Sequence, residues 1–424
     1  MTEFADWLRA HAHTVHGLDL TADVDDLEPL REIVGDARVV GLGEGAHFVA
    51  EFTLLRQRVL RFLAERCGFT VLAFEFGFSE GFALDDWLRG AGDADDLSGL
   101  SGTTASGVNQ GLTRWLREYN AGPHPLRFAG LDIPLAGGDL RPALEPVAGY
   151  LRQVDPDAVP LLDRALEINN RIAGTSVASA APKWAELGAA EQDALTASLS
   201  RLLLRLRALE PLFVERGGQE SFDRARRRLE AACHADYMFG AMSNLFAGRS
   251  LEADTTVREL YLTESLRWHL DRLPAGARVV LAAHNNHLQR TPVAFGGQLT
   301  TMPMGQLLHR VLGDDYRPLA LTHTANHVPE MYPDGEGELG FKIVDTPLAA
   351  PEPGSVEAGV VEAGLGAEHV LVDLRHARRD LPAGALPDRF RTQSVVLETP
   401  VAEAFDGVLV TPMVTTDDTV GFAG

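Results

Sequence analysis

Seven positions carry side chains suited to acid–base chemistry, each just past a short apolar run. They are Glu44 and His47 in GLGEGAHF, Glu75 in VLAFEF, Asp132 in AGLDIP, His284 and His287 in LAAHNNH, and His323 in LALTH. An imidazole titrates near neutral pH, so His47 or His284 can take a proton from water. A carboxylate beside an imidazole fixes its tautomer and stabilises its charged form, a part that suits Glu44 and Glu75. Any one of these histidines reads equally well as a hydrogen-bonded structural residue. The set reads as catalysis, because parallel strands aim their carboxyl ends the same way and open α/β sheets bind ligands just beyond those ends.

The motifs that are missing narrow the chemistry. The chain has no G-x-S-x-G elbow for a nucleophilic serine, no H-E-x-x-H and no P-loop. Gly41, Gly43 and Gly45 after a strand faintly resemble a dinucleotide fingerprint but miss its G-x-G-x-x-G spacing. Without a nucleophile, attack by an activated water is the simplest hydrolytic route. Glu44, His47, Glu75, His284 and His287 are also ligand types for zinc or manganese, and spacing does not separate a metal from acid–base work.

The elements that must position these groups follow from periodicity. Strands are predicted at Val39–Leu42, Thr70–Phe74, Leu126–Leu131 and Arg278–Ala282, in YRPLALTH, EHVLVDLR and SVVLETP, and at Phe405–Val410. Between the first two lies an amphipathic helix with Phe52, Leu55, Val59, Phe62 and Leu63 on one face, stopped at Gly68. Helices are predicted over residues 1–17, Asp26–Val34, Ser79–Leu88 and Gly111–Tyr119, and Asp93–Asn109 and Ala349–Gly366 read as loops. From Leu140 to Leu273 only helical patterns appear: Arg141–Gln153, Ala158–Ile172, Ala190–Glu210, Glu220–Phe246 and Thr255–Asp271. The expected fold is α/β, with a central, mostly parallel sheet flanked by helices and an all-helical cap inserted between strands. Residues 1–139 and 274–424 would form the catalytic core and 140–273 the cap.

Composition bounds the partners. The 424-residue chain is 45% hydrophobic and 23% charged, ordinary for a globular protein, with a net charge of −22. Nucleic acid and anionic membrane would both repel so acidic a surface; the charge says little about a small-molecule substrate, the expected partner. Lys183 and Lys342 are the only lysines, which disfavours Schiff-base chemistry. Cys67 and Cys233 are too few for a disulfide framework, and the N-terminus lacks a signal-peptide pattern. A cytoplasmic location is expected; the sequence sets no oligomeric state.

The blocks GLGEGAHFVAEFTLLRQRVLRFL and GFTVLAFEF resemble the opening of the erythromycin esterase family. VRELYLTESLRWHL followed by RVVLAAHNNH is similar to its second block. MGQLLHRVLGDDYRPLAL and FDGVLVTP resemble its third and fourth, so the likeness runs from about Val39 to Pro412. It implies hydrolysis of a macrolide lactone by activated water with no required metal or other cofactor. It implies His47 as general base, Glu44 and Glu75 as its carboxylate partners, and His284 as a second essential histidine. Arg56, His287 and Arg258 match further positions of the site, and these with Asp132 are expected to bind substrate. The chain departs from the family pattern at Leu262-Thr263-Glu264-Ser265 and at Gly45-Ala46, and its cap carries no matching motif.

Three functions follow as expectations. The first is hydrolysis of a lactone or ester in a macrolide- or polyketide-like molecule. The second is elimination, cyclisation or acyl transfer at the same site in a biosynthetic route. The third is a binding protein for a small or haem-type ligand.

Overall fold

The computed structural model describes residues 2–97, 100, 110–335, 337 and 339–417. Eight strands build one sheet: β1 His13–Val15, β2 Val39–Leu42, β3 Phe69–Gly77, β4 Arg127–Asp132, β5 Arg278–Ala282, β6 Tyr316–His323, β7 His369–Asp373 and β8 Gly407–Thr411. Their order across the sheet is β1-β7-β8-β6-β2-β5-β3-β4. The six from β8 to β4 are parallel. β7 joins antiparallel to β8, and β1 antiparallel to β7.

The parallel strands are apolar on both sides because both faces are covered. On one face the helix Ala50–Cys67 packs Phe52, Leu55, Val59 and Phe62 against Leu42, Phe74 and Val280. Gly68 ends that helix in the left-handed conformation, φ 73°, its N–H donating to the Leu63 carbonyl. On the other face Leu262, Leu266 and Leu270 pack with Val39, Val71 and Leu281.

Residues 141–270 contribute seven α-helices, one 3-10 turn at Pro156–Ala158 and, among the described residues, no strand. Six of them, Arg141–Val154, Val159–Ile172, Val177–Ala185, Ala189–Ala208, Glu210–Gly217 and Gln219–Phe246, enclose a separate apolar cluster. The seventh, Thr256–Leu270, belongs to both layers. Its Tyr261 enters the helical cluster while Leu262 and Leu266 lie on the sheet.

Several expectations need correction. The first helix is Glu3–His11, not residues 1–17: Ala12 turns extended and His13–Val15 pairs with β7 instead. Ala349–Gly366 is not all loop. It holds the helix Val356–Glu362, whose first turn is capped by Ser355 Oγ accepting from the Ala358 N–H. Val395–Glu398 in SVVLETP stays outside the main sheet and pairs only with Arg389–Thr392. Pro182 and Pro211 lie within or at the start of helices; Ser176 and Ser179 form a capping box ahead of the first. Of the predicted loop Asp93–Asn109, residues 98–99 and 101–109 lie outside the described residues, as do residues 418–424.

Candidate functional site

Four adjacent strands, in the order β2-β5-β3-β4, deliver the polar groups at one edge. Glu44 and His47 follow β2. Glu75 and Asp132 close β3 and β4, and His284 stands just past β5 as the cap of the short helix Asn285–Leu288. A register shift between Phe74 and Gly77 marks a bulge at Glu75, as is common beside active sites.

The glycine spacing around Glu44 has a steric cause. A Cβ on Gly43 would sit 1.9 Å from Asn285 Oδ1, and one on Gly45 would sit 2.8 Å from the Leu321 carbonyl. These glycines let the loop press on Asn285, whose N–H donates to the Glu44 carbonyl and whose side chain brackets Leu321. They serve a close backbone approach rather than a phosphate cradle.

His47 Nδ1 lies 2.8 Å from Glu44 Oε1. A carboxylate accepts, so Nδ1 carries a proton, and in the neutral imidazole Nε2 then keeps its lone pair. The other Glu44 oxygen accepts from Arg56 Nη1 at 2.8 Å. Arg56 is buried, and its remaining donors go to the carbonyls of Gly43 and Ala283. Gln393 clamps the loop from the other side: its N–H donates to the Gly45 carbonyl and its Oε1 accepts from the His47 N–H, both at 2.6 Å. Phe48 and Gln393 both take positive φ, 63° and 50°, a strained backbone held by these bonds.

A second group is built on Glu75. Its Oε2 accepts the His284 N–H at 3.0 Å; its Oε1 meets Arg258 Nη2 at 2.9 Å and His287 Nε2 at 3.0 Å. Arg258 also binds Asp132 with Nε and Nη2. His287 Nδ1 lies 2.6 Å from Glu259 Oε1. Burial alone would raise the Glu75 carboxyl, but His287, Arg258 and His47 outweigh it and hold Glu75 well below the usual carboxylate range. Burial would likewise lower His287, yet Glu259 and Glu75 raise it to about 10, so it stands as an imidazolium.

His284 joins the two groups, its ring centroid 4.9 Å from that of His47. Burial drives it well below its ordinary value, and neighbouring His47 and His287 add to the shift. It is therefore neutral. Its Nδ1 accepts from the Asn286 N–H, which puts the proton on Nε2, a buried donor with no partner among the described residues.

A cavity of about 650 Å³ opens over this edge. His47, Glu75, Arg258 and His287 form its polar floor. Its walls are apolar: Val177, Met242 and Phe246 from the helical layer, Met331 and Phe341 from the hairpin His327–Pro333/Phe341–Pro347. Arg56, Asp132 and His284 sit buried behind the floor. His323 ends a parallel strand at this edge, but its side chain does not line the cavity. It is buried beside Phe52, and burial lowers it to about 3. Local pattern did not reveal Glu259 or Gln393. Glu259 is visible only as the acid next to Arg258 on one helix, and Gln393 is an unremarked turn residue between two short strands.

A family model described as Erythromycin esterase matches residues 64–414. The chain belongs to the erythromycin esterase family. This family member is 36% identical over 386 residues to an erythromycin esterase type II of Escherichia coli, covering 91% of each chain. It is also 36% identical over 395 residues to an erythromycin esterase type I of Escherichia coli, covering 91% of its own length and 93% of that relative's. Among solved structures, a mutant of the erythromycin esterase EreC in its open conformation superposes with a TM-score of 0.89 at 33% identity, covering 96% of this chain and 99% of that one. A Bacillus cereus protein at 19% identity and TM-score 0.74 shares the fold. As a member of the erythromycin esterase family, the chain is an esterase-type hydrolase, which sets aside the binding-protein alternative.

Proposed function

We propose that the chain opens a lactone or carboxylic ester of a macrolide- or polyketide-like molecule, with His47 as general base and no metal. The observation that carries this reading is the Glu44–His47 pair at the cavity floor, its Nε2 lone pair uncommitted, with the cations Arg258 and His287 on the same floor. The names of the Escherichia coli relatives support the substrate class, and the apolar walls suit a large, mostly hydrocarbon ring.

The reaction follows from the groups in place. His47 Nε2 takes a proton from water as the oxygen attacks the ester carbon. The carbonyl electrons move to oxygen, which Arg258 stabilises in a low-dielectric site, while His287, both of whose N–H groups are held by carboxylates, adds its charge rather than a hydrogen bond. The Nε2–H of His284 supplies a further neutral donor. Collapse expels the alkoxide, which recovers its proton from the His47 imidazolium, leaving a hydroxy acid. Glu44 holds the tautomer, and Arg56 acts behind it as a positioning residue.

Both nitrogens of His287 face carboxylates and Nδ1 of both His47 and His284 is engaged, which supports reading these groups as an acid–base set. Turnover of a macrolide in labelled water tests the reading. One solvent oxygen in the product carboxylate is expected. Product without it would favour elimination, cyclisation or acyl transfer at the same site.

A further inference from the structure

Away from the cavity, at the sheet's antiparallel edge, three ligand-type side chains meet from opposite ends of the chain. His11 is the last residue of the helix Glu3–His11. His376 and Asp380 lie one turn apart on the helix Leu374–Asp380, which follows β7. Pairing of β1 with β7 holds the two segments together, and ligand atoms of the three residues all lie within 4.8 Å of one another.

We propose that His11, His376 and Asp380 bind one divalent transition-metal ion, zinc by preference, which staples the N-terminal helix to the C-terminal half of the fold. The proposal is independent of the hydrolase reading and shares no residue with the cavity.

Trp7 holds two of the ligands. His11 Nδ1 lies 2.9 Å from the Trp7 carbonyl, which only accepts, so Nδ1 is protonated and in the neutral imidazole Nε2 presents its lone pair. This is the usual outer contact of a metal-binding histidine. The His11 ring stacks on Trp7, centroids 4.7 Å apart, and the His376 ring stands edge-on to both. The Trp7 indole donates to Asp380 Oδ2 at 2.9 Å, and with His376 and His11 holds that carboxyl below its usual range. His376 Nε2 lies 3.1 Å from Asp380 Oδ2. Two ligands of a tetrahedral zinc at about 2.0 Å would stand about 3.3 Å apart, close to that separation. All three ligand atoms lie within 4.8 Å of one another, so closing on one ion completes a three-ligand set, and the partial exposure of His376 and Asp380 leaves the fourth position to water. Two imidazoles and one carboxylate suit zinc, nickel or copper rather than calcium or magnesium. The net charge of −22 draws cations to the surface.

The test uses full-length protein without a polyhistidine tag, stripped with chelator and titrated with Zn²⁺ in a calorimeter. His11→Ala, His376→Gln and Asp380→Asn are compared with wild type. Zinc can also reach the histidines of the cavity, so the difference in stoichiometry is what counts. Wild type should take up one equivalent that each variant loses or binds at least about tenfold more weakly. Zinc should raise the melting temperature of wild type more than that of any variant. Equal stoichiometry and equal melting shifts in all four proteins, or no uptake by wild type, would overturn the site.

Discussion

Nδ1 of His287 lies 2.6 Å from Oε1 of Glu259, and the other Glu259 oxygen accepts the Met304 N–H at 2.9 Å. Glu259 is thereby fixed in place, and it fixes the imidazolium that faces the cavity. Glu259→Gln keeps the shape and removes the charge. The expected result is a fall in kcat of roughly 10²-fold, the usual scale for losing one preorganised oxyanion stabiliser, with KM little changed. An unaltered kcat would show that the His287 cation does not act on the transition state.

His47→Ala and Glu75→Gln should each abolish useful turnover while the protein stays folded. Loss of a general base alone accounts for roughly 10²–10⁴-fold. Circular dichroism and a thermal melt establish the fold, and kcat/KM reads the chemistry. Full activity in the folded His47 variant would remove the base assignment.

Arg56 is a matter of stability as much as rate. It is buried, and its removal leaves the buried Glu44 carboxylate without its guanidinium. Breaking such a pair from one side costs about 3–5 kcal/mol. Arg56→Ala should lower the urea midpoint accordingly. A direct substrate contact predicts instead a raised KM at unchanged stability.

Gln393 offers a cleaner separation of positioning from binding. It lies outside the cavity floor yet holds both Gly45 and the His47 N–H. Gln393→Ala should reduce kcat by roughly tenfold, the equivalent of one hydrogen bond of about 1.4 kcal/mol, and leave KM nearly unchanged. A change confined to KM would place Gln393 against substrate.

Two histidines set opposite pH limits. His287 is raised to about 10 in the fold, so its contribution to stability is complete below its ordinary value near 6.5 and is lost as pH climbs through about 10. His284 is lowered, so the unfolded chain takes up its proton first and stability falls as pH drops below about 6.5. Urea midpoints across pH should fall on both sides. The alkaline limb of kcat should move to lower pH in Glu259→Gln, because the nearest opposing charge on His287 is gone. An alkaline limb that does not move would exclude His287 as its source.

Much of the site was legible in the chain because it is written locally. Glu44 and His47 stand three residues apart on one loop, and His284 and His287 three apart on one short helix. Each set follows an apolar run that could only be a buried parallel strand. Those strands end at a common edge by topology, so convergence of Glu44, Glu75, Asp132 and His284 needed no detailed packing. Periodicity likewise placed the helix Ala50–Cys67 and most of the helices between Leu140 and Leu273.

Only the tertiary structure decided who pairs with whom. Arg56 turns inward to Glu44 rather than out to the cavity, and His323 packs beside Phe52 although it too ends a strand. Glu259 reaches His287 from 28 residues away in sequence and Gln393 reaches His47 from 346. His11 meets Asp380 only because β1 lies along β7. Residue type and spacing report which face of a helix or strand is apolar and what chemistry a side chain can do. They carry no record of the long-range approach that selects one partner among many acids and bases, because that choice is made by backbone packing between distant segments.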